Sequence, residues 1–132
     1  MNNYYFYIKM SVPSVGLKDN GGYVELKVED NKEFQVVLED NPTTGYTWVL
    51  INVDEVKNSV VTPLNVNPGN MSDDYVTDPH EYGMVGVGGC HIFKFKVNNA
   101  AGKTLPKLLF ESKRPWETNK PQAAKAEITL KF

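Results

Sequence analysis

The chain has 132 residues, of which 41% are hydrophobic and 23% charged, with a formal net charge of −2 and a single cysteine. That length suits one domain with one core, and the composition excludes disordered, collagen-like and membrane-embedded classes. The near balance of charge gives no broad attraction to nucleic acid or to an anionic membrane surface, and Cys90, being alone, leaves the fold to stand without an internal disulfide.

The charge is uneven along the chain. Residues 71–90 carry Asp73, Asp74, Asp78 and Glu81 with no Lys or Arg, whereas the region from Lys103 onward is basic. Met1 to Met10 is aromatic and polar, without the basic start and apolar run of a signal peptide. No stretch approaches the roughly 20 apolar residues of a membrane-spanning helix.

In chain order, residues 1–21 form an N-terminal arm, loosely ordered or adding an edge strand, and residues 22–132 form the main domain. Asp19-Asn20-Gly21-Gly22 is a turn, and Tyr23 to Val28 alternates apolar with charged residues as a half-buried strand does. Glu33 to Leu38 is the next strand, its Val36-Val37-Leu38 run predicting burial on both faces. Thr47 to Asn52 follows, then one helical turn over 54–58 and a short strand over 59–62. Pro63, Pro68, Gly69, Pro79 and Gly83 deny regular structure to the segment 63–84, a long excursion of the kind that tends to carry function. Cys90 to Val97 is an amphipathic strand with His91, Phe93, Phe95 and Val97 on one face. Leu105 to Glu111 is a strand disturbed by Pro106, and Ala126 to Phe132 is the last. About seven or eight short strands with no long helix predict an all-β, immunoglobulin-like sandwich.

Three connections stand out. Asn41-Pro42-Thr43-Thr44-Gly45-Tyr46 is a stiff turn between two strands, because Pro restricts its own φ and its predecessor, Gly permits positive φ and Thr is branched at Cβ. Gly86-Val87-Gly88-Gly89 is almost pure backbone. Arg114-Pro115-Trp116 puts a large aromatic on a polar loop, the profile of a binding hot spot.

Enzymatic chemistry finds little support. Cys90 and His91 are adjacent on a strand, so their side chains point to opposite faces and cannot act as nucleophile and base. The glycines of 86–89 lack the Lys-Ser/Thr of a phosphate loop and the third Gly of a dinucleotide fingerprint. One Cys, two His and irregularly spaced carboxylates assemble no metal site, and no cofactor is expected. Asn70-Met71-Ser72 has the form of a glycosylation sequon, which matters only in a secreted chain.

Taken in order, each between strands, the three motifs resemble the signature loops of the chagasin family, protein inhibitors of papain-like cysteine proteases from protozoa and bacteria. The resemblance covers residues 22–132. It implies an immunoglobulin-like sandwich with three binding loops at one end, entering the protease cleft as a wedge without covalent chemistry. Residues Asn41, Pro42, Thr43, Thr44, Gly45 and Tyr46 would lie over the catalytic centre. Gly86, Val87, Gly88 and Gly89 would run along the non-primed side, and Arg114, Pro115 and Trp116 would cover the primed side. It further implies a chain that is monomeric when free and binds its protease one to one.

The excursion over 63–85 is longer than this family's compact form implies, and the arm has no counterpart in it. The Asn-rich composition suits a parasite protein, and the expected context is the inhibitory domain of a larger, secreted or vesicular precursor. A competing reading is an adhesion or assembly module that presents Trp116 and the acidic loop to a partner other than a protease.

Overall fold

The computed structural model describes residues 5–7 (backbone only), 12–40, 45–77, 89–114, 116 and 124–132. Ten strands and one short helix follow in the order β1 (Tyr5–Tyr7), β2 (Ser14–Leu17), β3 (Gly21–Lys27), β4 (Glu33–Asp40), β5 (Thr47–Leu50), α1 (Val53–Lys57), β6 (Val61–Pro63), β7 (Asp74–Val76), β8 (Gly89–Val97), β9 (Lys107–Lys113) and β10 (Ala124–Lys131). One sheet has the order β1-β2-β4-β8-β6, with β7 also paired to β8; the other has the order β3-β10-β9-β5. Most neighbours are antiparallel, but β2 runs parallel to β4 and β3 parallel to β10. The chain is therefore an all-β sandwich, and none of its described helices is long and apolar enough to cross a membrane.

The alternation of β8 sends Phe93, Phe95 and Val97 into the core between the sheets, all at 0% exposure. Phe95 stacks on Phe34 of β4 at 5.2 Å between centroids, and Phe93 meets Phe110 of β9 edge-on at 4.8 Å, which ties one sheet to the other. Val36, Val37 and Leu38 are all fully buried, as the continuous apolar run predicts. Trp48 of β5 is fully buried too, and its indole N–H donates to the Glu39 carbonyl of β4 at 2.8 Å, a hydrogen bond between sheets.

Helix α1 has Asp54 and Glu55 in its first turn and Lys57 in its last, matching the helix dipole, while Val56 plugs the core. Asn52, just before it, donates to the Lys107 carbonyl and accepts from the Leu109 amide, prolonging the β5–β9 edge by a side chain.

In the N-terminal arm the strand alternative is the one seen, with β1 at the sheet edge paired to β2, and the segment from Pro63 departs from the sequence reading. Val15 and Leu17 of β2 are core residues at 0% exposure, in a stretch whose Pro and Gly content conceals the strand. The segment from Pro63 is not wholly irregular: β7 pairs with β8, and Val66 bridges Ser72. What orders it is Asn65, whose Nδ2 donates to Asp74 Oδ2 and to the Ile92 carbonyl at 2.7 Å each, while its Oδ1 accepts from the Lys94 amide at 2.9 Å. Asn67 turns the chain by accepting from the Gly69 and Met71 amides, and Asn70 takes φ of 64°. Side-chain amides here supply hydrogen bonds that apolar periodicity cannot signal. Asn65→Ala leaves the Lys94 amide without its acceptor, while the Ile92 carbonyl keeps the Ser72 hydroxyl, and a loss of about 1–3 kcal/mol in urea-unfolding free energy is expected.

Candidate functional site

The pairing of strands brings the stems of the three motif loops to one end of the sandwich. Asp40, the last residue of β4, is the register partner of Gly89, the first of β8. Thr47, the first residue of β5, is the partner of Lys113, the last of β9. The connection 41–46 thus leaves one sheet beside residue 89 and enters the other beside residue 113.

Of the residues singled out by sequence, Asn41, Pro42, Thr43, Thr44, Gly86, Val87, Gly88 and Pro115 lie outside the described residues. The remaining five are described, and four of them meet in pairs. Gly45 has φ of +79°, and a Cβ built on it would lie 2.5 Å from Cη2 of Trp116. Glycine is therefore required twice over at position 45, for its backbone conformation and for the indole lying against it. The Arg114 guanidinium sits over the Tyr46 ring at 4.5 Å from its centroid, a cation–π contact between the first and third loops. Trp116 nonetheless remains 69% exposed, the highest value among the described exposed large hydrophobic residues. An aromatic surface that is positioned by its neighbours and still open to solvent can bury much area on a partner with little loss of side-chain freedom.

Gly89 is shaped by close approach. A Cβ there would fall 2.1 Å from the Tyr75 hydroxyl, which donates to Asp40 Oδ1 at 3.1 Å. Tyr75 packs tilted against His91, centroids 4.7 Å apart, and His91 Nε2 lies 2.8 Å from Asp40 Oδ2 and 2.9 Å from Thr47 Oγ1. Asp40, Thr47, Tyr75 and His91 thus form a polar cluster beneath the loops. Sequence reasoning missed it as a unit, because His91 is 51 positions from Asp40 and only β-pairing brings them together. The one available signal was the place of Asp40 and Thr47 immediately on either side of the 41–46 motif.

Cys90, next to His91 on β8, is fully buried. Burial pushes its thiol up to about 12, with the nearby Glu39 and Asp40 carboxylates adding to the rise. Burial, the charge of Asp40 and the hydrogen bond to Asp40 likewise raise Tyr75 to about 12. Both groups hold their protons more tightly folded than unfolded. The stability they contribute is complete below the unfolded values, near 9 and 10, and is lost as pH rises toward 12. The urea midpoint is expected to fall between pH 8 and pH 10.5, and less so in Cys90→Ala. For the same reason Cys90 of the native chain is expected to resist alkylation at pH 8 and to react readily once the chain is unfolded. Among the described residues no group of three or more His, Cys, Asp or Glu is placed to hold a metal ion.

Comparison with known proteins agrees with this architecture. Residues 27–132 match the model of the chagasin family peptidase inhibitor I42. The chain is 30% identical to Amoebiasin-1 of Entamoeba histolytica over 113 residues, covering 86% of this chain and 90% of that protein. The crystal structure of the cysteine protease inhibitor EhICP2 from the same organism superposes with a TM-score of 0.54 at 18% identity, covering 92% of this chain and 99% of the other, and supports the shared fold. With the family model spanning four-fifths of its length, this chain belongs to the chagasin family of peptidase inhibitors.

Proposed function

We propose that the chain is a reversible inhibitor of papain-like cysteine proteases that occludes the active-site cleft with the loops 41–46, 86–89 and 114–116. The observation that carries this reading is the convergence of the loop stems at one end, with Trp116 resting on Gly45 yet 69% exposed. Thr43 and Thr44 occupy the centre, over the catalytic thiol and imidazole of the enzyme. The glycines 86–89 let the inhibitor backbone approach the cleft as an extended substrate would, and Trp116 packs on the primed side. A rigid sandwich that carries short stiff loops loses little conformational freedom on docking, the condition for tight binding from a standard interface of about 1,600 Å². No peptide bond need be offered in attack geometry, so the complex persists uncleaved. The free chain is a monomer and the complex is one to one.

Titrating a papain-like protease with the chain tests the reading. Inhibition in the nanomolar range is expected, weakened about tenfold or more by Gly88→Glu, whose side chain would hold the backbone off the cleft. An inert wild-type chain across several such proteases would refute it.

A further inference from the structure

We propose that His91 is a positioning residue of the inhibitor: its Nε2 holds both stems of the 41–46 loop at one separation, and through that it governs affinity without touching the protease. The inference rests on the reading of this loop as protease-facing. Asp40 ends β4 in one sheet and Thr47 begins β5 in the other, and the same nitrogen reaches both, at 2.8 Å and 2.9 Å. Tyr75 holds the second oxygen of Asp40 and packs on the imidazole. Gly89, without a side chain, leaves room for that hydroxyl. The His91 and Asp40 side chains are only 12% and 6% exposed, so water competes little for these bonds.

The hydrogen-bond pattern also selects a tautomer. The Asp40 carboxylate accepts only, so Nε2 carries the hydrogen and donates it to Oδ2, with the Thr47 hydroxyl oxygen sharing it as the weaker acceptor. Nδ1 is buried with no hydrogen-bond partner among the described residues. A hydrogen placed there would be a buried donor with nothing to accept it, whereas a bare lone pair is the smaller penalty. His91 is thus held with its hydrogen on Nε2, aimed across the root of the loop. Fixing both stems before the protease arrives removes ordering that binding would otherwise have to supply.

The test uses the full chain as wild type, His91→Ala, His91→Gln and Thr47→Val. Gln carries an amide N–H close to the position of Nε2, and Thr47→Val removes a single hydroxyl while keeping its shape. Imidazole nitrogen shifts of the wild type are expected to show the hydrogen on Nε2 rather than on Nδ1. At a temperature where thermal denaturation shows every variant folded, His91→Ala is expected to raise the inhibition constant for a papain-like protease about tenfold. It should speed amide exchange at Tyr46 and Thr47 by a similar factor, Thr47→Val should give a smaller change in the same direction, and His91→Gln should recover most of both. A hydrogen on Nδ1, or folded His91→Ala and Thr47→Val chains with wild-type exchange and inhibition, would overturn the proposal. A wild-type chain that inhibits no such protease is a separate result, overturning the function reading and with it the link to affinity.

Discussion

Trp116→Ala is expected to weaken inhibition of a papain-like protease by tenfold or more, while thermal denaturation stays within about 3 °C of wild type. The two halves of this expectation have one cause. Trp116 is 69% exposed, so truncating it forfeits little burial within the chain, and surface changes of this kind rarely shift stability by more than about 0.5 kcal/mol. What it forfeits is the aromatic area offered to the partner, and tenfold in affinity corresponds to about 1.4 kcal/mol. The contact with Gly45 adds a control. Gly45→Val places a branched side chain where the indole lies, at a φ of +79° that β-branched residues avoid, so the loop and Trp116 are displaced together. Gly45→Val is therefore expected to weaken inhibition at least as much as Trp116→Ala and, unlike it, to lower the melting temperature as well. Equal inhibition by wild type and Trp116→Ala in a titration would show that the third loop contributes no binding.

Trp48→Ala should do the reverse, with a loss of stability large enough to threaten folding. Trp48 is 0% exposed and belongs to the core, and large aromatic truncations of this kind remove about 3–5 kcal/mol. The Glu39 carbonyl would also be left without its indole donor between the sheets. Against a total stability of about 5–15 kcal/mol that is a large fraction, and the urea midpoint should fall accordingly. Trp48→Phe narrows the comparison, since it keeps much of the aromatic packing while removing the N–H together with the rest of the pyrrole ring. A midpoint for Trp48→Phe equal to wild type would show that the hydrogen bond adds nothing. The two tryptophans are thus placed oppositely, Trp48 closed within the sandwich and Trp116 open to solvent, where the proposed function has it face the protease.

These roles are legible in the amino-acid sequence to different degrees. Apolar alternation in Tyr23–Val28 and Cys90–Val97, and the unbroken Val36-Val37-Leu38 run, report on which face of a strand meets a core, and the strands are where that pattern places them. The motif loops were visible because Pro, Gly and Thr restrict or free the backbone in ways that depend only on the residue itself. Strand β2 was not, because four residues beside Pro13 and containing Gly16 carry too short an alternation to stand out, and their burial comes from pairing with β4. Strand β7 was hidden for another reason: Asn65, a residue that signals a loop by composition, spends its amide holding Asp74, Ile92 and Lys94 together.

By itself the amino-acid sequence determined the all-β class, the positions of most strands, the three motif loops and their chain order, and through them the family. All of these rest on local backbone preference, side-chain periodicity or motif identity. Only the tertiary structure decided that Trp116 lies on Gly45, that Arg114 stacks on Tyr46, and that Asp40, Thr47, Tyr75 and His91 share one polar cluster at the roots of the loops. Those contacts join residues tens of positions apart, and their existence depends on the register of β4 on β8 and of β5 on β9, which the buried faces of whole strands select together and no single stretch of sequence encodes.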